Sequence, residues 1–209
     1  MCHYRSLPYD SLSTTTHPSE TASCSYLSDG TKITAKLTGE DETQYRGSVI
    51  YLKESSGFSS TFETVSMPGG GMVFVFQHDM DTICLREGHL GSVRTIVNAS
   101  GTVVERNDYY PFGTRTTFGA SYPTLSINRQ KFSGKEDQGT IGSSTLPYLD
   151  FGARMYDAKL VRWNTYDPMA EKYYGINPYV YCAGDPVNFV DPKGTEVLLK
   201  KVAGNSAAK

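Results

Sequence analysis

Short apolar runs separated by turn residues fill the chain from Tyr26 onward, and none of them sustains a helical period. Residues 26–33 (YLSDGTKI) set Asp29-Gly30 between two strand-like halves, and Asp-Gly supplies the positive φ angles of a tight hairpin. Residues 45–52 (YRGSVIYL) predict the next strand, ended by a Ser/Gly break at 55–60. Residues 62–65 and 72–77 (MVFVFQ) predict a strand pair across Met67-Pro68-Gly69-Gly70-Gly71, and the unbroken MVFVF run predicts burial on both faces. Residues 89–98 (HLGSVRTIVN) turn at Ala99-Ser100-Gly101 into 102–108 (TVVERND), the plainest hairpin signal of the chain. Tyr109-Tyr110-Pro111-Phe112-Gly113 closes it as an aromatic corner, and a looser polar stretch runs to Ile127.

The pattern then becomes less regular. Residues 131–136 (KFSGKE) lead into a Gly/Ser loop, and 148–156 (YLDFGARMY) predict one strand paired with 160–166 (LVRWNTY) across Asp157-Ala158-Lys159. One short helix is predicted over 169–174, with Asp167 as N-cap, Pro168 at the first helical position and Gly175 as its stop. Residues 1–25, rich in Ser, Thr and Pro, predict a poorly ordered segment or a broken strand pair. The expected fold class is mainly β: consecutive hairpins in a curved sheet, one short helix, and a proline- and tyrosine-rich C-terminal plug.

Composition narrows the function classes. At 209 residues the chain is long enough for one good core, and fifteen tyrosines make up for a hydrophobic share of only 38%. A net charge of −2 without a basic cluster argues against nucleic acid and anionic lipid as partners. No run approaches the roughly 20 apolar residues of a membrane helix, so no membrane insertion is expected. The N-terminus has no signal-peptide core, which places the chain in the cytoplasm if it is the full product. Cys2, Cys24, Cys84 and Cys182 lack CxxC spacing, and free thiols suit them better than a disulfide framework. The four histidines do not pair with cysteines at zinc spacing, and MPGGG lacks the Lys-Ser/Thr of a phosphate loop; no metal or cofactor is expected.

The densest chemistry lies in residues 166–194, where Asp167-Pro168, Asp185-Pro186 and Asp191-Pro192 fall among five tyrosines. Turn formers and aromatics at this density predict a folded, loop-rich plug. On structural grounds alone, Asp167 caps the short helix and Asp191 opens a type I turn with Pro192 second and Gly194 fourth.

Residues 89–113 (HLGSVRTIVNASGTVVERNDYYPFG), then KFSGKE, then 148–194 (YLDFGARMYDAKLVRWNTYDPMAEKYYGINPYVYCAGDPVNFVDPKG) resemble, in order, the Rhs repeat-associated core of the Rhs/YD-repeat proteins. The resemblance spans residues 89–194, and residues 26–77 look like degenerate YD hairpins upstream. It divides the chain into an N-terminal segment (1–25), YD-type hairpins (26–88), the core (89–195) and a short tail (196–209). It implies a hairpin sheet spiralling into a hollow shell, with the core as an inward plug and a variable segment, commonly a toxin, beyond the Asp-Pro-x-Gly motif. In many members that segment is released by self-cleavage.

Carried over residue by residue, the resemblance makes Asp167 and Asp191 the acidic pair of an aspartyl-type self-protease. One would activate water while the other, protonated, polarises the scissile carbonyl, and the bond cut lies just past Gly194, after Thr195. It offers Arg162 as a cation orienting one carboxylate. The chain departs from the pattern at Met169-Ala170, where some relatives carry glycine, and at Thr195, where leucine is common. The implied partners are the rest of an Rhs shell, secretion or toxin-complex components, and an immunity protein for a toxin; the implied location is secreted or cell-surface, within a larger protein. Only EVLLKKVAGNSAAK follows Thr195, too short for an effector domain, which suggests a fragment or a decayed member. The competing expectation is a carbohydrate-binding or adhesion module whose exposed tyrosines stack on sugars.

Overall fold

The computed structural model describes the backbone of residues 11–17, 20–28, 30–37, 39–53, 60–66, 72–77, 79–88, 90–98, 100–116, 128–140 and 146–199, with side chains left out at 11–17, 20, 60–62, 64, 66, 72–77, 79–86, 140 and 199. Ten strands follow one another in a single antiparallel meander: β1 (Ser11–His17), β2 (Glu20–Tyr26), β3 (Lys32–Leu37), β4 (Glu42–Arg46), β5 (Val49–Lys53), β6 (Ser60–Ser66), β7 (Met72–Gln77), β8 (Asp79–Glu87), β9 (Val93–Asn98) and β10 (Val103–Arg106). Every strand pairs with its neighbour in sequence, so each turn sets the register of the next pair.

Beyond the meander lies a smaller four-stranded sheet of β11 (Glu136–Asp137), β12 (Tyr148–Asp150), β13 (Met155–Asp157) and β14 (Arg162–Trp163), and a two-stranded pair of β15 (Phe189–Val190) and β16 (Leu198–Leu199). The fold is mainly β. Among the described residues the helical segments are four 3-10 turns, and no helix is long and apolar enough to cross a membrane.

Several local expectations change. Residues 11–26 form a regular pair, with Ser11 opposite Tyr26 and His17 opposite Glu20, rather than a broken one. The segment 45–52 is two strands, because Gly47 takes φ +62° and turns β4 back on β5. The segment 148–156 is likewise two strands: Gly152 at φ +91° folds β12 onto β13, which then pairs with β14. β8 carries no alternation that stands out in sequence; it is fixed by pairing with both β7 and β9. The short helix shrinks to one 3-10 turn, Ala170–Lys172, because Tyr173 N–H returns to Ala170 rather than one residue further back. The MVFVF burial and the Met67–Gly71 connection fall on residues or side chains outside the described set.

The main hydrophobic core sits in the C-terminal half. Phe132, Leu149, Phe151, Tyr156, Trp163, Tyr181 and Cys182 are buried together, with Tyr109 and Phe112 of the aromatic corner packed against them. A second cluster of Cys24, Tyr26, Ala35 and Met155 seals one face of β2 and β3 onto this half.

Candidate functional site

The site is built around an arginine at a hairpin turn. Arg154 lies between Gly152 and β13, and its side chain is buried against Trp163, guanidinium carbon 4.1 Å from the ring centroid. Trp163 is itself inward because it alternates with Arg162 along β14, and its indole N–H donates to the Val180 carbonyl at 3.1 Å. Thus an aromatic shelf fixes the plane of the guanidinium.

From that shelf the guanidinium donates in four directions. Nη2 reaches Asp167 Oδ2 at 3.0 Å and Asp191 Oδ2 at 3.1 Å. Nε donates to the Gly194 carbonyl at 2.6 Å and Nη1 to the Pro178 carbonyl at 3.2 Å. Asp167 opens the 3-10 turn: Oδ1 accepts the Met169 N–H at 2.7 Å and its carbonyl accepts the Ala170 N–H at 3.1 Å. Asp191 is fully buried, and its Oδ1 accepts the N–H of Thr195 at 3.0 Å and of Glu196 at 3.3 Å. Val190 pairs with Leu198 and Phe189 with Leu199, so Asp191 starts the loop of one β15–β16 hairpin, and residues 195–196 lie within it.

Electrostatics follow from burial. Burial pushes the Asp191 carboxyl above its ordinary range, more than Arg154 and the N–H groups of Thr195, Glu196 and Gly194 pull it down. Burial likewise lowers Arg154, more than Asp167 and Asp191 hold it up. Asp167, Asp191, Gly194 and Thr195, grouped by the resemblance, lie together around Arg154 in the fold. The two carboxylates meet on one shared cation, Arg154.

Arg162 does not join them. It is exposed, its Nε contacts the Trp163 carbonyl at 3.4 Å, and its guanidinium lies 4.9 Å from the Tyr179 ring. Strand alternation explains this, since the β14 position facing the core belongs to Trp163. Arg154 was missed, although a charged residue within the aromatic-rich YLDFGARMY is a sequence signal for a buried partner.

Beside the aspartates lies a cleft of about 670 Å³, bounded by the β2–β3 and β4–β5 turns on one side and by Phe151, Pro192 and Thr195 on the other. Its wall carries an ionic network. Lys32 Nζ reaches Glu136 at 2.6 Å and Asp150 at 2.9 Å, the Tyr26 hydroxyl donates to Asp150 at 2.7 Å, and the Tyr45 hydroxyl donates to Glu136. Arg129 extends the network to Glu63 at 2.7 Å. Lys135 Nζ holds the Pro192 carbonyl at 2.5 Å from the same side. Among the described residues no group of three or more His, Cys, Asp or Glu could hold a metal ion.

No family model matches the chain. Over 103 residues it is 31% identical to the toxin subunit YenC2 of Yersinia entomophaga, a match that takes in 49% of this chain and 10% of that one. The fold is that of solved Tc toxin structures. The crystal structure of TcdB2–TccC3 with Cdc42 superposes with TM-score 0.69 at 16% identity, over 93% of this chain and 10% of that one. TcdB2–TccC3 alone gives 0.69 at 17% identity, over 92% of this chain and 10% of that one. The Photorhabdus luminescens Tc holotoxin pore gives 0.62 at 17% identity, over 96% and 10%. The chain thus spans about a tenth of the length of each.

Proposed function

We propose that this chain is the core of an Rhs-type shell protein of a toxin complex, acting as scaffold and plug, and that its acidic site cuts the chain just past Gly194. The likeness to YenC2 in sequence and to TcdB2–TccC3 in fold supports the shell reading. So does the meander, whose β1 lies at a sheet edge where a further hairpin of a longer protein would add. The partners are then the remaining shell and its complex components, with an immunity protein wherever a toxin follows, and the setting is secreted or cell-surface within that larger protein.

One observation carries the cleavage reading: Arg154 touches Asp167, Asp191 and the Gly194 carbonyl at once. A buried guanidinium donor on a peptide carbonyl is placed to stabilise the oxyanion that forms when the carbonyl is attacked. The raised carboxyl of Asp191 makes it a better base than an ordinary aspartate. Intact mass spectrometry at neutral pH tests this. Loss of the tail beyond residue 194 or 195, abolished by Asp167→Asn and by Asp191→Asn, is expected; a chain intact after prolonged incubation removes the reading.

The exposed tyrosines favour a second function. Tyr174 is 92% exposed and Tyr166 60%, with Tyr166 edge-on to Tyr179 at 6.1 Å. Such rings suit stacking on sugars. Binding on a glycan array that Tyr166→Ala and Tyr174→Ala both remove would support it, and no signal above background discards it.

A further inference from the structure

We propose that Lys131 and Asn107 become joined by an isopeptide bond, with Glu105 as the proton shuttle, a covalent staple between the meander and the C-terminal half. It is independent of the self-cleavage reading. Three polar side chains that take no part in the acidic site lie together in the interior. Lys131, Glu105 and Asn107 are 1%, 0% and 2% exposed. Lysine and glutamate are almost never buried this fully unless paired, and here the pair carries a carboxamide as a third member. Lys131 Nζ donates to Glu105 Oε1 at 2.5 Å, and Asn107 Nδ2 donates to the same oxygen.

The backbone fixes all three. Glu105 is the inward position of β10, and strand alternation sets residue 107 on the same face. The Asn107 N–H donates to the Arg94 carbonyl at 2.8 Å. Lys131 is laid against β9, where its carbonyl accepts the Val93 N–H at 3.0 Å, and its own N–H donates to the Lys135 carbonyl at 2.9 Å. Two nitrogens bonded to one oxygen stand no more than about 6 Å apart. The amine is therefore held beside the carboxamide, the proximity that an intramolecular acyl transfer needs. Burial lowers the Lys131 ammonium more than Glu105 holds it up, which favours the neutral, nucleophilic amine. Among the described residues the Asn107 Oδ1 accepts no hydrogen bond. A buried carbonyl left so is costly, and the proton that Glu105 takes from Lys131 can serve it once the amide turns about its last torsion.

The step balances. Lys131 passes a proton to Glu105 along their hydrogen bond and becomes a neutral amine. Its lone pair attacks Asn107 Cγ while protonated Glu105 polarises the carboxamide. The Cγ–Nζ bond forms and the Cγ–Nδ2 bond breaks. Nζ sheds two protons in all, and Glu105 hands both to Nδ2, which leaves as ammonium. Glu105 ends as the carboxylate it began. No oxidant or cofactor enters. The bond ties β10 to the turn that leads into β11.

The test is intact mass spectrometry of the full chain with tryptic peptide mapping. The expected mass lies below the sequence mass by one ammonia. Residues 107–115 should appear joined to residues 130–135, with no tryptic cut after Lys131. Both peptides precede Gly194, so staple and self-cleavage are read separately. Asn107→Asp should give the same joined pair with water lost in place of ammonia. Lys131→Arg and the isosteric Glu105→Gln should keep the full mass and release the two peptides separately. A wild-type chain of full mass overturns the proposal. So does loss of ammonia with the two peptides separate, which is the sign of a cyclised asparagine. Joined peptides in Glu105→Gln would overturn the shuttle.

Discussion

The meander and the C-terminal half bury their residues by different means. In the meander every strand pairs with the next, and its register is local. From Asn128 onward the strands are two or three residues long, and long-range contacts hold the structure instead. Trp163 touches Phe151, Tyr156 and Tyr181 with ring centroids 5.0, 5.4 and 5.5 Å apart, and Arg154 ties residues from three separate turns. A repeated element tolerates loss at one place, because its neighbours keep their own pairs. A bespoke cluster does not, because each member satisfies several others. That contrast also separates scaffold from site: the precise geometry lies where regular structure is scarcest.

The largest expected effect comes from removing the hub of the second region. Arg154→Ala leaves Asp191 fully buried beside Asp167 without their cation, and orphans the Gly194 and Pro178 carbonyls. Breaking a buried ion pair on one side costs about 3–5 kcal/mol. The measurement is urea denaturation, with near-ultraviolet circular dichroism reporting the aromatic cluster and far-ultraviolet the sheet. The cluster signal should be lost first; coincident loss of both would mean the two regions are less distinct than their architecture suggests.

The joint between the regions comes next. Lys32 belongs to β3 of the meander, and both of its carboxylate partners, Glu136 and Asp150, belong to the smaller sheet. Lys32→Met should cost about 1.5–3 kcal/mol, the range for hydrogen bonds to charged groups, because Tyr26, Tyr45 and Arg129 still serve those carboxylates. It should also split a single unfolding transition into two. A single transition in the variant would place the coupling in the Tyr26–Met155 packing instead.

Acid probes the joint and the site with opposite signs. Burial would raise the Asp150 carboxyl, but the Lys32 ammonium and the Tyr26 hydroxyl outweigh it, so its folded pKa lies below the ordinary value. Its contribution is present above the unfolded pKa near 3.9 and is lost as pH falls through the folded value. Asp191 is raised, so its ionised form is the less favoured one in the folded chain, and protonation on acidification favours folding. Between about pH 5 and 3, the fall in urea midpoint should be shallower in Asp150→Asn and steeper in Asp191→Asn than in the unaltered chain. Equal slopes would show that neither group's pKa differs between the folded and unfolded states.

How much of this could be read in the sequence divides along the same line. Hairpins in the meander largely declare themselves by local chemistry: Gly30 and Gly101 sit at positive φ where the turn residues predicted a reversal, whereas Gly47, read inside a single strand, also turns the chain. The site was half legible. The Asp-Pro pairs marked Asp167 and Asp191 as turn openers, which both are, and the family resemblance is what paired them. Arg154 was not legible as their partner, because what recruits it is a stack on Trp163, nine residues later and on the other side of a hairpin. The partners of Lys32 are more than a hundred positions away, and no local pattern encodes such a separation.

Two glycines give the sharpest and smallest comparison. Gly101 closes the β9–β10 hairpin at φ +81° with nothing within 4 Å of a Cβ placed there. Gly101→Ala should therefore cost only the backbone preference, about 1 kcal/mol. Gly194 has a similar φ of +72°, but its added Cβ would press on Arg154 N at 3.1 Å and Phe151 Cβ at 3.2 Å, both fixed by the cluster. Gly194→Ala should add an overpacking cost of about 1–3 kcal/mol to the same backbone penalty. Differential scanning calorimetry on the two variants isolates the difference, because the left-handed preference is common to both. If the meander is the forgiving region and the core the exacting one, the Tm of Gly194→Ala falls by at least twice the drop seen for Gly101→Ala. Equal drops would mean the C-terminal half yields around the added methyl as freely as an open turn, and the tight grip on the Gly194 carbonyl would then lose its structural basis.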